Sequence, residues 1–164
     1  MAEETVLERD HFASIRALLQ TTRVLSLAYV SDAGPEAALL PFSPRDDYGA
    51  LYVQASTLAR HARALQAGSQ VGVLVHAQDS ATTDAMQLAR LSVAAIVSVV
   101  DQDSAAYDAA AAQFVSRFPA ARLTLGFADF SLCMLTLGGG RFVEGFARAF
   151  DVTAQTFAEI GKSS

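Results

Sequence analysis

Runs of β-forming residues separated by strong turn signals set the first limit on what this chain can fold into. Val24 to Val30 is rich in β-formers and stops at Ser31-Asp32-Ala33-Gly34-Pro35, after which Glu36 to Phe42 resumes. Two such runs across a turn cluster read as a hairpin. Pro41, near the end of the second run, has no N–H to give a ladder, which points to an edge or a bulge. Ala50 to Gln54 and Val71 to His76 are further strands. Leu88 to Val100 is apolar and β-branched towards its end, long enough to bend along a barrel wall. Ser131 to Leu137 and Arg141 to Phe150 flank Gly138-Gly139-Gly140, which predicts a final hairpin.

Helical patterns fill the gaps. Asp10 reads as an N-cap ahead of Phe12, Ile15, Leu18 and Leu19, giving a helix from about Asp10 to Thr21. Ser56 reads as the cap of a second helix, with Leu58, Ala62 and Leu65 on one face and Gly68 as its C′ glycine. Ser104 to Arg117 is alanine-rich and ends before Pro119, and Thr153 to Ile160 is a short closing helix. No linker or repeat interrupts the order, so residues 1–164 are expected to form one domain. Consecutive strands joined by hairpins predict a mainly β fold with flanking helices, an antiparallel barrel rather than a doubly wound parallel sheet.

Composition narrows the partners. Hydrophobic residues make up 52% and charged residues 18%, an apolar balance for a chain of 164 residues. Part of that surface is expected to be covered, by a second copy in a homodimer or by a flat ligand. A net charge of −5 argues against nucleic acid. The longest apolar stretch, around Ala94 to Val100, is far short of the roughly 20 residues that span a bilayer. Met1-Ala2-Glu3-Glu4 is acidic where a secretory signal would be basic and then apolar, so a cytoplasmic location without membrane attachment is expected. Cys133 is the single cysteine and lies in an apolar strand, which suits an inert core thiol. His11, His61 and His76 lack metal-ligand spacing, and no metal site is expected. His76 ends a strand and reads either as an open-face ligand for a bound group or as an ordinary surface histidine.

The segment Gln54-Ala55-Ser56-Thr57-Leu58-Ala59-Arg60-His61-Ala62-Arg63 carries the densest chemistry. A strand feeds directly into the expected helix, whose first turns hold Arg60, His61 and Arg63. Cations there oppose the helix dipole by roughly 0.3–1 kcal/mol each. Bound phosphate would reverse that sign. The alternative is a helix with exposed arginines and an incidental histidine.

Ser56-x-Leu58-Ala59-x-His61 followed by Leu65 and an apolar strand resembles the haem-utilisation branch of the pyridoxamine 5′-phosphate oxidase-related FMN-binding family. Arg90-Leu91-Ser92-Val93, Phe118-Pro119-Ala120-Ala121, Ala128-Asp129-Phe130-Ser131-Leu132 and Phe142-Val143-Glu144-Gly145-Phe146-Ala147-Arg148-Ala149 resemble further segments of that branch in the same order. The resemblance covers roughly Phe12 to Phe150. It implies a six-stranded antiparallel split β-barrel, a homodimer, and FMN in a groove at the subunit interface. Leu39, Leu40, Pro41 and Phe42 would then run along the flavin ring. Gln54, Ala55 and Ser56 would approach the ribityl chain and phosphate, with Arg60 and His61 as the phosphate clamp. Arg90 and the Phe142 to Phe146 stretch would be lesser contacts.

Histidine stands at position 61 where the oxidases have lysine. A clamp built on it is expected to weaken as pH rises through an ordinary imidazole pKa near 6.5. Glu144 stands where the branch usually has glycine. The oxidases' carboxy-terminal substrate-binding arginine motif has no match, which leaves pyridoxamine phosphate unsupported as substrate. The expectation is an FMN-dependent oxidoreductase of unassigned substrate. Haem binding or degradation at the same groove, and a flavin-binding protein without turnover, are the alternatives.

Overall fold

The computed structural model describes residues 9–145 and 148–162. Seven strands form one sheet: β1 Val24–Ser31, β2 Gly34–Pro44, β3 Ala50–Ser56, β4 Gln70–His76, β5 Arg90–Val99, β6 Phe130–Gly145 and β7 Arg148–Val152. Their order is β3-β2-β1-β4-β5-β6-β7, every pairing is antiparallel, and β3 also pairs with β6. That last ladder, from Ala50↔Thr136 to Ser56↔Phe130, closes β1–β6 into a six-stranded barrel and leaves β7 outside it.

Strict alternation builds the core. Val71, Val73 and Val75 of β4 and Leu91, Val93, Ala95 and Val97 of β5 point inward, while the residues between them face out. Phe142 of β6 and Phe150 of β7 are fully buried, and each such side chain contributes about 1.5–3 kcal/mol by leaving water. The helix α1, Arg9–Thr21, and α4, Ala154–Lys162, pack on each other and add Ile15, Leu19, Phe157 and Ile160 to the same core. Asp10 lies in the first turn of α1 rather than before it. On the outside of the wall, α2, Ala105–Arg117, lays Ala110 and Phe114 against Tyr52 of β3 and Leu132 of β6. Ser104 caps α2, its Oγ accepting from the Tyr107 N–H at 3.2 Å. A further turn of helix, α3, Ala121–Thr124, has no counterpart in the sequence pattern.

Pro41 sits where β2 changes partners. Residues up to Pro41 pair with β1, and from Phe42 onward with β3, so the missing N–H falls at the changeover.

Two sequence expectations are corrected here. Gly138-Gly139-Gly140 is not a turn: it lies inside the 16-residue strand β6. The reason is close approach. A Cβ on Gly140 would stand 2.1 Å from the Ser92 carbonyl oxygen and 2.6 Å from Val93 Cα, where the register shifts and Gly138 and Gly139 of β6 oppose the single Ala94 of β5. Ser56 does not start a helix either. It remains the last residue of β3, opposite Phe130, and only a short 3₁₀ turn follows at Arg60–Leu65.

Candidate functional site

Two regions carry the polar groups that could meet a ligand. One surrounds the end of β3. Gln54 is half-buried; its Oε1 accepts from Thr124 Oγ1 at 2.9 Å, and its buried Nε2 has no partner. Ala55 is buried, and Ser56 Oγ donates to Asp129 Oδ2 at 2.8 Å while accepting from the Leu58 N–H. A cavity of about 370 Å³ opens beside them, lined by Ala55, Ser56, Thr57, Arg63 and Cys133 among others. Burial pushes the Cys133 thiol up to about 11. Thr57 and Arg63 were the polar wall that the strand–helix reading already contained.

The cations expected to clamp phosphate are placed differently from a helix N-terminus. Arg60 opens the 3₁₀ turn, is 83% exposed at its side chain and lies 3.4 Å from Glu36 Oε1. Arg63 lies 3.6 Å from Asp32 Oδ2, both fully in solvent. Residue 59, which precedes the turn, offers no side-chain cap. With no α-helix there is no dipole to recruit an anion, so that part of the clamp argument falls. Partial burial holds His61 below its ordinary value, which moves any titration of the clamp to lower pH than an ordinary imidazole would give.

The other sequence-assigned residues do not all meet. Leu39 is 68% exposed and Pro41 faces out, whereas the side chains of Leu40 and Phe42 point into the barrel core. Phe142 is likewise enclosed, opposite Leu91. Phe146 lies outside the described residues. Arg90 is remote from the β3 end in the ladder and belongs to the second region.

That region is the outer face of β4, β5, β6 and β7. Leu74, Arg90, Ser92, Arg141, Val143 and Ala149 share it, with Met86 and Arg148 at its border, around a depression of about 740 Å³. Arg90 Nη1 donates to the Leu88 carbonyl at 3.1 Å, and no carboxylate pairs with it among the described residues. Arg141 lies 2.7 Å from Asp151, and Arg148 lies 2.7 Å from Glu144. Glu144, in the position where the resemblance expects glycine, is an anchor: it also accepts from Ser14 Oγ at 2.5 Å, tying α1 to β6. Buried His11 stacks on Phe150 with ring centroids 4.0 Å apart behind this pair. Sequence reasoning passed over Leu74, Met86, Arg141 and Arg148. The period-2 alternation of β4–β6 already assigned the first and third to the outer face.

Among the described residues, no group of three His, Cys, Asp or Glu side chains is placed to hold a metal ion, and no helix is long and apolar enough to cross a membrane.

No family model matches the chain. Among curated proteins, heme oxygenase HutZ of Vibrio cholerae is 29% identical over 150 residues, 89% of this chain and 83% of that protein. The crystal structure of HutZ, the heme storage protein of Vibrio cholerae, has a TM-score of 0.68 at 28% identity, covering 78% of this chain and 90% of that one. A heme binding protein from Mycobacterium smegmatis has a TM-score of 0.79 at 24% identity; it is matched over 94% of this chain but only 62% of its own length. The chain therefore spans less than two thirds of that relative. A protein related to general stress protein 26, of the pyridoxinephosphate oxidase family in Clostridium acetobutylicum, shares the fold with a TM-score of 0.67 at 10% identity, covering 92% of this chain and 99% of that one.

A closed six-stranded antiparallel barrel with an outer strand and flanking helices defines a split-barrel protein. The chain shares that fold with the pyridoxinephosphate oxidase-family protein and is similar in sequence to heme oxygenase HutZ.

Proposed function

We propose that this chain binds haem on the outer face of β4–β7. The observation that carries the proposal is the make-up of that face: an apolar floor with guanidinium groups around it, in a depression of about 740 Å³. Haem is a flat apolar ring with two carboxylates on one edge. Leu74, Val143 and Ala149 suit the ring, and Arg90 and Arg141 suit the carboxylates, since a guanidinium can grip a carboxylate with two parallel hydrogen bonds. Four strands at about 4.8 Å spacing span roughly 14 Å, wide enough for such a ring. Similarity to HutZ supports this choice over a flavin enzyme.

Titrating hemin into the purified chain should raise a Soret band that saturates. The absence of any band, with hemin free in solution, would sink the proposal.

The cavity beside β3 favours a second reading, FMN binding. Its supporting observation is the unpartnered, buried Gln54 Nε2 next to Ala55 and Ser56. There the flavin would supply the redox chemistry, and Leu39, Leu40, Pro41 and Phe42 would flank its ring. Arg60 and His61 would complete the contacts. A flavin spectrum that stays with the protein through gel filtration supports it; free passage of FMN overturns it.

Either ligand is proposed to bind a homodimer. The outer face of β1, β4 and β5 is floored by Ala28, Gly72 and Ala94 and carries exposed Val30, a smooth surface for a second copy. Light scattering at micromolar concentration should give twice the chain mass.

A further inference from the structure

We infer that His76 is the residue that ligates the iron of the haem held on the β4–β7 face, an inference that rests on the haem reading above. His76 is the last residue of β4 and stands opposite Arg90 of β5. Arg90 stands opposite Val143 of β6, and Val143 opposite Ala149 of β7. Side chains of one cross-strand row share a face and lie about 5 Å from their neighbours. The exposed imidazole therefore borders the same surface as Arg90 and Val143, two residues along the strand from Leu74.

Its hydrogen bonding is that of a metal-binding imidazole. Nδ1 lies 2.8 Å from the Ala77 carbonyl oxygen. A carbonyl only accepts, so Nδ1 donates, and Nε2 is the ring nitrogen left to meet a metal. A backbone partner on one ring nitrogen fixes the tautomer and aims the other at a metal. Apolar ring, carboxylates and iron thus each find a complementary group on one face: Val143, Arg90 and His76.

The rival ligands are placed less well. His11 is only 6% exposed, enclosed against Phe150, with Nε2 3.2 Å from Arg148. His61 belongs to the Arg60–Leu65 turn, which packs on β1, β3 and β5. Met86 is 67% exposed at the border of the depression and is the one thioether lining it among the described residues.

The test titrates hemin into the full chain and into His76→Ala, His61→Ala and Met86→Leu, reading the Soret position and the ferric EPR spectrum. His76→Ala should lose the imidazole-ligated spectrum and bind hemin roughly tenfold more weakly or worse. Added free imidazole should restore the wild-type spectrum, which a misfolded variant could not do. His61→Ala should match wild type in both readouts, and Met86→Leu should keep the imidazole-ligated spectrum. A His76→Ala spectrum and affinity equal to wild type would overturn the assignment while leaving haem binding intact. So would a loss that appears instead in Met86→Leu or His61→Ala. A wild-type chain that yields no Soret band overturns the haem reading and this inference together.

Discussion

The Arg60–Leu65 turn and the β4–β7 face both place arginines near a histidine, yet only one of them resembles a binding surface. At the turn, Arg60 and Arg63 reach into solvent and each meets a single carboxylate, Glu36 or Asp32. Exposed pairs of this kind are worth about 0–1 kcal/mol and organise little around them. On the sheet face, Arg90, Arg141 and Arg148 border Leu74, Met86 and Val143. The strands hold their backbones at fixed spacing, so the cations stand ready without an ordering cost. Cation count is similar in the two places. What separates them is an apolar backdrop on a rigid frame.

That contrast can be broken most violently at its base. Gly140→Val puts a branched side chain into the Ser92 carbonyl and Val93, wedging β5 from β6. We expect a stability loss of about 1–3 kcal/mol or more, read as a lowered melting temperature, with hemin binding lost alongside. Gly34→Ala, in the β1–β2 turn at φ +111°, meets no atom within 4 Å and should cost only its backbone strain.

A milder pair of variants separates the regions directly. Arg90→Ala with Arg141→Ala should weaken hemin binding by about tenfold or more, whereas Arg60→Ala with Arg63→Ala should leave it within about twofold. Equal losses from the two double variants would erase the distinction drawn between the regions.

The smallest effect concerns the carboxylate that faces Arg60. Hydrogen bonds from Ser31 and Tyr29 hold Glu36 below its ordinary value, with Arg60 adding a lesser contribution. A lowered folded-state pKa stabilises the fold above the unfolded value and loses that stabilisation as pH falls. Glu36→Gln should therefore melt below wild type at neutral pH, and the gap should close as pH drops below about 4. Thermal melts across that range, with a gap that is constant or widens in acid, would contradict this.

Local signals were legible in the sequence and non-local ones were not. The helix over Ser104 to Arg117 and the strand over Val71 to His76 depend on residues within one segment, and both appear as read. The helix expected at Ser56 fails because β3 pairs with β6, some 75 residues away, and that ladder extends strand structure through Ser56. Glycine carried two meanings at Gly138–Gly140, a turn or a close backbone approach, and only the neighbour β5 decides between them. The candidate face gathers Leu74, Arg90, Arg141 and Arg148 from four segments. Alternation could say that each pointed outward, but only barrel closure and register bring them side by side.

Cys133 has a bearing on how the chain would tolerate the proposed haem. With its thiol at about 11, roughly one copy in ten thousand carries a thiolate at neutral pH, and that sulfur lies behind the wall of the barrel. Haem in air generates peroxide, and thiolates are what peroxide attacks first. A chain whose lone thiol is kept protonated and enclosed gives that oxidant no thiolate to attack, and disulfide cross-linking between copies through Cys133 is disfavoured.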